Sequence, residues 1–343
     1  MELLSVTISD GVVPRSNIES KDNSSEDKSN YKVVHVGDMV YNTMRMWQGA
    51  CGVSSFRGIV SPAYTILKEV MRFDRKFMAS LFKTKRLIND FRKNSQGLTS
   101  DTWNLKYPQI AIIKVSLPDI EEQQQIATFL SLLDSRIAAQ RKLVELLKKQ
   151  KRGLLKEIFE RSAEGEYKSF CDIVVRRSEK ITPTKDSGLD CIELEHIEPE
   201  TGLLLGSVQL REQDSLKNLC KPNDIVFGKL RPYLRKFLFA KTECAVSSET
   251  WVLTAADGIL PKFLFYLIQS EPFMQAANVS SGTKMPRSEW SNVANAKFHI
   301  PNAGRQLAIA NCLSEVDTRI HQTQRVISAM EVYKRGLLQA LFV

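Results

Sequence analysis

Two short turns in this sequence place arginine close to an aromatic residue, and they lie at matching positions in the two halves of the chain. Their charged and aromatic members are Arg45 and Trp47 in the first half, and Lys229, Arg231, Tyr233, Arg235 and Lys236 in the second. Arginine can hold a phosphate or read a guanine edge with two hydrogen bonds, and an adjacent ring can stack on a base. The pattern predicts DNA contact. The alternative is that the rings lie in the core and the charges face solvent.

A glycine-containing loop also occurs in both halves. Its candidate DNA-binding residues are Gly97 and Thr99 in the first half, and Gly282, Thr283, Lys284 and Arg287 in the second. Backbone N–H groups, hydroxyls and cationic side chains all bind phosphate oxygens. The loop is therefore predicted to contact the DNA backbone, and a plain turn before the last strand is the alternative.

Catalytic signatures are absent from the sequence. It contains no Gly-x-x-x-x-Gly-Lys-Ser/Thr loop, no Gly-x-Gly-x-x-Gly fingerprint and no Asn- or Asp-Pro-Pro-Tyr motif. The six cysteines and four histidines have no metal-ligand spacing. The sequence predicts a non-catalytic protein with no metal site and no cofactor of its own.

The charge distribution indicates a polyanionic partner. The chain carries 48 basic and 39 acidic residues, a net charge of +9. The stretch from Lys217 to Lys241 is basic with the single acid Asp224, which predicts a local basic face. No segment is long and apolar enough to cross a bilayer and no signal peptide is evident, so a cytoplasmic location without membrane attachment is predicted.

An internal repeat organises the whole chain. The segment from Pro118 to Phe159 recurs from Pro301 to Phe342 at a constant offset, and the run from Lys151 to Leu155 returns letter for letter. The period is too long for a stacking solenoid unit, so each repeat is a domain followed by a connector. The predicted boundaries are a first domain over 1–117, a first helix over 118–160, a second domain over 161–300 and a second helix over 301–343. The first domain looks shortened at its N-terminus, because the stretch from about Glu166 has no counterpart there.

Both connectors have the apolar spacing of long helices. Steps of four and three residues form one stripe, which is typical of a coiled-coil seam. The predicted interface residues are Ile126, Leu130, Leu133, Ile137, Val144, Leu147 and Leu154 in the first copy, and Ile309, Leu313, Val316, Ile320, Ile327, Met330 and Leu337 in the second. The two helices are predicted to pair antiparallel; the alternative is that each packs on its own domain. Gly153 and Gly336 predict a crowded contact with another helix or subunit.

The remaining segments indicate mixed domains. Short stretches rich in Val, Phe, Leu and Thr alternate with segments of helical spacing. The predicted fold class is α+β, with two mixed α/β domains joined by two long antiparallel coiled-coil helices.

The repeated segment resembles the specificity subunit of type I restriction-modification systems. The matching residues are Pro118, Glu122, Gln123, Gln124, Ile126, Ala127, Leu130, Asp134, Ile137, Leu143, Lys151, Gly153, Leu154 and Phe159. The resemblance covers essentially the whole chain. It implies two target-recognition domains that each read half of a split site in double-stranded DNA, in a host-defence system. One departure is Gly304 and Arg305, which stand where the first copy has Glu121 and Glu122.

The resemblance also implies partners. The paired helices would dock methyltransferase (modification) subunits, and a restriction/translocase subunit would join them. S-adenosylmethionine, ATP and Mg²⁺ are then expected on the partner subunits.

Three function classes follow. The leading hypothesis is a DNA-specificity subunit that also scaffolds its partners. The alternative is a truncated or decoy specificity subunit that binds partner subunits but no longer reads a full DNA site. An enzyme in its own right is the third, and the sequence offers it no catalytic constellation. The DNA sequence recognised does not follow from the residues, because readout depends on loop geometry and DNA shape.

Overall fold

The computed structural model describes residues 1–18, 24–68, 72–161, 165–279 and 285–342. The chain forms two compact units. Unit 1 comprises Met1–Ala139 and Ile327–Val343, and unit 2 comprises Gln140–Val326. The predicted α+β fold class is confirmed. Within the described ranges, no helix is long and apolar enough to cross a membrane.

Unit 1 is built from small sheets and helices, and it contains the start of one long helix. Its elements are β1 Glu2–Thr7, β2 Gly11–Pro14, β3 Lys32–Val34, β4 Met39–Asn42, β5 Cys51–Val53, β6 Gly58–Val60, β7 Tyr64–Leu67, α1 Arg75–Leu81, α2 Lys85–Asn94, α3 Tyr107–Ala111 and α4 Ile120–Lys156, which continues into unit 2. The strand orders are β2-β1-β6-β3 and β5-β4-β7.

Unit 2 has the same plan with more strands. Its elements are β8 Glu166–Ser169, α5 Phe170–Ile173, β9 Val174–Arg177, β10 Lys180–Ile181, β11 Asp190–Ile192, β12 Val208–Gln209, β13 Lys217–Cys220, β14 Ile225–Gly228, β15 Phe237–Phe239, β16 Cys244–Val246, β17 Thr250–Ala255, α6 Pro261–Leu267, α7 Glu271–Asn278, α8 Trp290–Ala294, β18 Lys297–Ile300 and α9 Ala303–Ala340, which ends in unit 1. The strand orders are β10-β13-β16-β11-β12, β15-β14-β17-β9 and β18-β8.

The two units share strand register as well as strand order. In unit 1, Met39 of β4 lies opposite Leu67 of β7 and Val53 of β5. In unit 2, Ile225 of β14 is the repeat equivalent of Met39. It lies opposite Leu253 of β17 and Phe239 of β15, the equivalents of Leu67 and Val53. A one-residue slip would turn every side chain to the other face of a sheet. The duplication in sequence is therefore also a duplication of pairing.

The apolar stripe of each long helix packs on a domain as well as on the other helix. In unit 1, Ile126 and Leu130 of α4 lie in a core with Phe77, against which Leu338 of α9 and Phe342, just after that helix, also pack. The rings of Phe77 and Phe342 are 4.9 Å apart. In unit 2, the core likewise combines Leu155 of α4 with Ile309 and Leu313 of α9 and with the aromatic residues of α6 and α7. Each long helix therefore packs both on the other helix and on a domain, which are the two alternatives that the sequence left open.

The long helices are capped alike. Helix α4 has 37 residues, which corresponds to a length of about 55 Å. The Asp119 carboxylate accepts a hydrogen bond from the Glu122 N–H at 2.8 Å, and the Asn302 side chain accepts one from the Arg305 N–H at 2.9 Å. These polar residues satisfy N–H groups that have no partner inside the helix. Pro118 and Pro301 lie directly before these capping residues.

The predicted seam residues are all buried or half-buried. The apolar face shifts near the end of α4, where Leu155 is buried and Leu154 is half-buried. The expectation of a crowded contact at the two helix glycines is wrong for contacts within this chain. A Cβ atom added at Gly153 or Gly336 would meet no atom within 4 Å.

A buried glutamine fixes the start of each long helix to its domain. The Gln123 side chain accepts a hydrogen bond from the Asp74 N–H at 2.9 Å and donates one to the Pro118 carbonyl at 2.8 Å. Its counterpart in unit 2 is Gln306. That side chain accepts from the Leu260 N–H at 2.8 Å and donates to two carbonyls, Gly258 at 3.1 Å and Pro301 at 2.9 Å.

An ion pair links the two long helices in each unit, and its members are repeat equivalents. In unit 2, the Lys151 ammonium lies 2.6 Å from the Asp317 carboxylate, and both groups are buried. The Tyr266 hydroxyl donates to the other Asp317 oxygen at 3.0 Å, and the ring faces of Tyr266 and Phe237 lie within 6 Å of the ammonium. Burial lowers the pKa of Lys151, although Asp317 opposes that shift. In unit 1, Lys334 pairs with Asp134 on a more exposed surface.

The glutamine contacts can be tested one unit at a time. We expect Gln123→Leu and Gln306→Leu each to lower the free energy of unfolding by about 2 kcal/mol, because each removes the side-chain partner of one partly buried backbone N–H and of at least one backbone carbonyl. Amide hydrogen exchange at Asp74 and at Leu260, respectively, should accelerate. Gln125→Leu is the matched control, since Gln125 is exposed on the same helix. Unchanged exchange at both amides would contradict the assignment.

The two ion pairs provide an internal control for burial. We expect Asp317→Asn to lower the free energy of unfolding by about 3 kcal/mol or more, because it leaves the Lys151 ammonium buried without a counter-charge. Its repeat equivalent, Asp134→Asn, should cost less than about 1 kcal/mol. Combining Lys151→Met with Asp317→Leu should recover most of the loss. Equal losses from the two single variants, measured by urea denaturation, would show that burial does not distinguish the pairs.

Candidate DNA interface

The basic turn of unit 2 connects β14 to β15 and has an unusual backbone. Arg231 and Arg235 bracket a short 3-10 turn, Pro232–Leu234, and both have left-handed conformations with φ of 51°. Such a conformation is costly for a residue with a Cβ atom and persists only where its surroundings enforce it. Backbone hydrogen bonds do so here, from the Arg231 N–H to the Pro286 carbonyl at 2.8 Å and from the Glu200 N–H to the Arg235 carbonyl at 2.9 Å.

Two of the predicted DNA-binding residues instead hold the turn in place. The Arg235 guanidinium donates to the Gln269 carbonyl at 2.5 Å and to the Glu271 carboxylate at 3.2 Å. The Lys236 ammonium donates to the Leu194 carbonyl at 2.6 Å. Both side chains are directed into the domain, and they anchor the second half of the turn.

The remaining side chains of this turn lie at the surface. Arg231 is exposed, the Tyr233 side chain is 55% exposed, and Lys229 is half-buried. An anchored backbone that presents an exposed arginine and an exposed ring can contact a phosphate, a base edge or a base face.

The end of the glycine loop lies beside the basic turn. Leu230 and Arg287 form a β-bridge, and the Ser288 N–H donates to the Lys229 carbonyl at 2.8 Å. The Arg287 guanidinium forms two hydrogen bonds to the Glu249 carboxylate, at 2.9 and 3.2 Å. These bonds hold the pKa of Glu249 below its usual range. The predicted contacts at Gly282, Thr283 and Lys284 lie outside the described residues.

In unit 1, the equivalent turn connects β4 to β5. Arg45 is exposed, and its guanidinium lies 3.4 Å from the Gln48 side-chain oxygen. Trp47 packs edge-on against Trp103 with 5.1 Å between ring centroids, and its indole N–H donates to the Met44 carbonyl at 3.1 Å. The arginine is available at the surface, whereas the ring is engaged in packing.

The glycine loop of unit 1 is closed on itself. A Cβ atom at Gly97 would lie 2.6 Å from the Thr102 carbonyl oxygen, so the close approach requires glycine. The Thr99 N–H donates to the Thr102 hydroxyl at 3.1 Å, and the Thr102 N–H donates back to the Thr99 carbonyl at 3.0 Å. The loop returns to the turn through a 2.8 Å hydrogen bond from the Leu105 N–H to the Thr43 carbonyl.

An open groove in unit 1 adds residues that sequence reasoning missed. It has a volume of about 580 Å³, and its lining includes Arg15, Tyr31, Asn42, Arg45 and Tyr64. Arg45 was predicted from the sequence and Asn42 lies three residues before it, but Arg15, Tyr31 and Tyr64 are far from them in sequence and share no spacing, so no sequence signal could have added them. The groove brings two arginines and two tyrosines to the surface beside the basic turn.

Among the residues that the structure describes, no group of three or more His, Cys, Asp or Glu side chains could hold a metal ion.

The family comparison covers both repeats. The family model described as type I restriction modification DNA specificity domain matches residues 9–149 and again 164–329. Each match contains one basic turn and one glycine loop. The predicted family resemblance is confirmed.

Curated relatives agree with this family. The type I restriction enzyme MjaVIII specificity subunit of Methanocaldococcus jannaschii is 25% identical over 337 residues, covering 86% of this chain and 77% of the relative. The HindI specificity subunit of Haemophilus influenzae is 27% identical over 135 residues, covering 37% of this chain and 29% of the relative.

Solved structures show the same fold. A type I restriction-modification S subunit from M. genitalium aligns over 91% of this chain and 84% of its own with a TM-score of 0.60 at 12% identity. A chain from a structure on complex assembly and conformational transition of the type I R-M system aligns over 92% and 83% with a TM-score of 0.56 at 15% identity. The chain belongs to the type I restriction-modification DNA specificity family, whose members are the non-catalytic DNA-recognition subunits of these systems.

Proposed function

We propose that this chain reads a bipartite site in double-stranded DNA, with one half-site for each unit, and that it scaffolds the methyltransferase and restriction subunits of its complex. The observation that carries the proposal is the repetition of the basic turn. Arg45 and Arg231 follow equivalent strands at equivalent positions, and both are exposed. Two reading surfaces on one chain suit two half-sites.

The turn in unit 2 supports a division of roles. Arg231 lies on a backbone that other groups hold in place, so that backbone has little conformational freedom left to lose on DNA binding. Such an arginine can read a guanine edge with two hydrogen bonds. Lys229 lies on the same turn, and its charge would add sequence-independent attraction to phosphates.

Partner docking is supported by apolar side chains on the outer faces of the long helices. In unit 1, Leu132 of α4 and Tyr333 of α9 are 66% and 57% exposed. In unit 2, Leu146 of α4 is 55% exposed. The open space around Gly153 and Gly336 would admit the close approach of a helix from a modification subunit.

The chemistry would then lie on the partners. Modification subunits would supply S-adenosylmethionine-dependent methyl transfer, and a restriction subunit would use ATP and Mg²⁺. This chain would contribute DNA recognition to that cytoplasmic complex.

Base reading by Arg231 has a distinct signature. We expect Arg231→Ala to weaken binding of the assembled modification complex by roughly 1–3 kcal/mol and to relax preference at one base pair. Arg231→Lys should keep the charge but lose the paired hydrogen bonds, so base preference should relax while the salt dependence remains. Lys229→Ala should weaken binding to all DNA sequences alike and reduce the slope of log affinity against log salt concentration by about one. Binding to the methylated motif and to single-base variants at two salt concentrations measures all three. An unchanged affinity and preference in a folded Arg231→Ala complex would rule out this turn as the reading surface.

Substitutions at Gly153 and Gly336 distinguish effects on folding from effects on partner docking. We expect Gly153→Ala and Gly336→Ala to stabilise the isolated chain by about 0.5–1 kcal/mol each, because alanine favours an exposed helix interior. Gly153→Leu and Gly336→Leu should instead weaken binding of the modification subunits, because the larger side chain blocks close approach. Urea denaturation of the chain alone and calorimetric titration with the modification subunits measure the two effects. Leucine variants that bind the partner as tightly as the unsubstituted chain would place docking elsewhere.

A further inference from the structure

Helix α2 of unit 1 presents a basic face at the surface. The four cations of this basic face are all exposed, and they are Lys85, Arg86, Arg92 and Lys93. Together with the exposed Asn89 they have the spacing of a single helix face. The other side of the helix carries Leu87 and Phe91, which are buried in the core of the domain. The helix is therefore anchored by its apolar side and directs its charge outward.

Helix stability does not account for this charge. Cations are unfavourable near the N-terminus of a helix, where the helix dipole is positive, and they are favourable near the C-terminus. Lys85 and Arg86 begin α2, whose first turn has no acidic residue, whereas Arg92 and Lys93 lie in its last turn. In the part of the chain that the structure describes, none of the four cations forms an ion pair. Two of them therefore oppose helix formation, and all four are available to an anionic partner.

The basic face borders the candidate DNA interface of unit 1. The Arg92 guanidinium lies 5.4 Å from the centre of the Trp103 ring, and that ring packs edge-on against Trp47 of the basic turn. Nearer the middle of α2, the Ile88 side chain lies 3.4 Å from the position that a Cβ atom would take at Gly49, directly after the turn. The helix thus extends the surface that carries Arg45.

Unit 2 places its basic charge on a different element. Helix α7 is the repeat equivalent of α2, and the positions that match the four cations are the uncharged or acidic Glu271, Pro272, Asn278 and Val279. The turn of unit 2 is the more basic one, with Lys229, Arg235 and Lys236 in addition to Arg231. The matching residues of the unit 1 turn are the uncharged Thr43, Gly49 and Ala50. In unit 1, helix α2 therefore supplies most of the positive charge beside the turn.

The exposure of this face is common to both units. In unit 2, the elements that precede β11 pack on the inner side of α7, where Phe170 contacts Phe273. They leave the outer side of α7 open, since Glu271, Gln275, Asn278 and Val279 are all exposed. A domain with this fold therefore keeps the outer side of this helix at the surface.

From these observations we infer that α2 is a second DNA-contacting element of unit 1, and that its four cations bind phosphates beside the base pairs that the Arg45 turn contacts. The inference rests on the proposed function in taking double-stranded DNA as the ligand of that turn. Phosphate contacts position a protein on the duplex without reading its sequence. The inference therefore assigns affinity and register to α2, and leaves base preference to the turn.

The dimensions of the basic face suit this role. Its two cation pairs are seven residues apart, which corresponds to about 10 Å along the helix axis. One DNA strand carries a phosphate about every 3.4 Å of duplex axis, so the face spans about three phosphates. An acidic protein surface could also attract these cations, but the face is continuous with the turn and with Trp103 after the glycine loop, which favours DNA.

The test measures how binding of the full chain to a short duplex of arbitrary sequence depends on salt. We expect Lys85→Gln with Arg86→Gln, and separately Arg92→Gln with Lys93→Gln, each to reduce the slope of log affinity against log salt concentration by about two. Affinity at about 0.1 M salt should fall roughly 10- to 100-fold, because two phosphate contacts are lost. Asn89→Ala is the matched control, since it shortens an exposed, uncharged side chain of the same face and should leave the slope unchanged.

The two double variants also separate DNA contact from an effect on folding. Neutralising Lys85 and Arg86 should raise the free energy of unfolding, whereas neutralising Arg92 and Lys93 should lower it, because the two pairs lie at opposite ends of the helix dipole. A merely structural role would make the two variants differ in DNA binding as well. Equal losses of salt slope with opposite changes in stability would support direct contact.

A second measurement places the contact on the duplex. In the assembled modification complex, single uncharged methylphosphonate linkages beside the unit 1 half-site should weaken binding by the unsubstituted chain. The same linkages should have little further effect on the variant with Lys85→Gln and Arg86→Gln, because those contacts are already lost. Preference among single-base variants of the motif should be the same in both complexes.

Unchanged salt slopes in both double variants, in chains shown to be folded by circular dichroism, would overturn the inference, as would failure of the unsubstituted chain to bind the duplex. Unchanged slopes together with weaker calorimetric binding of the modification subunits would assign the basic face to an acidic protein surface instead. Absence of a bipartite preference in the unsubstituted complex would contradict the proposed function, whereas the salt slopes on a duplex of arbitrary sequence would still decide the role of α2.

Discussion

Two buried glutamine side chains determine where each long helix leaves its domain. Each amide accepts from one backbone N–H of the domain and donates to the proline carbonyl just before the helix. A glutamate cannot make the same donation and a leucine can make neither contact, so the amide is chemically specific. Because both helices begin at an equivalent glutamine contact, the apolar stripe of each helix packs into the core of its own domain at an equivalent place. The glutamine contact thus determines where the seam between the two helices lies and which residues pack on it.

The two units share this frame but differ in electrostatics and in the number of described strands. The helix-linking ion pair is buried and flanked by two rings in unit 2, and it is partly exposed in unit 1. Burial makes an ion pair costly to break without making it strongly stabilising. Unit 2 also contains three strands that unit 1 lacks among its described residues. Duplication has preserved the register while the surroundings have diverged.

The sequence predicted the duplicated fold and the long helices because a fixed offset and a four-three spacing are local signals. It also located the basic turns. It did not predict that Arg235 and Lys236 face inward, because the carbonyls that they contact, those of Gln269 and Leu194, lie far away in the chain. Nor could it place the end of the glycine loop beside the turn, since that contact joins residues far apart in the chain. The packing of Trp47 on Trp103 is likewise a tertiary contact with no sequence signature.

The left-handed turn in unit 2 has an evolutionary consequence. Its shape depends on backbone hydrogen bonds and on the inward Arg235, whereas the side chain of Arg231 contributes nothing to those bonds. Selection can therefore exchange the residue at this position without rebuilding the loop. A single nucleotide change in the gene would then be enough to alter the surface that the turn presents, so diversification of this position requires neither insertion nor recombination.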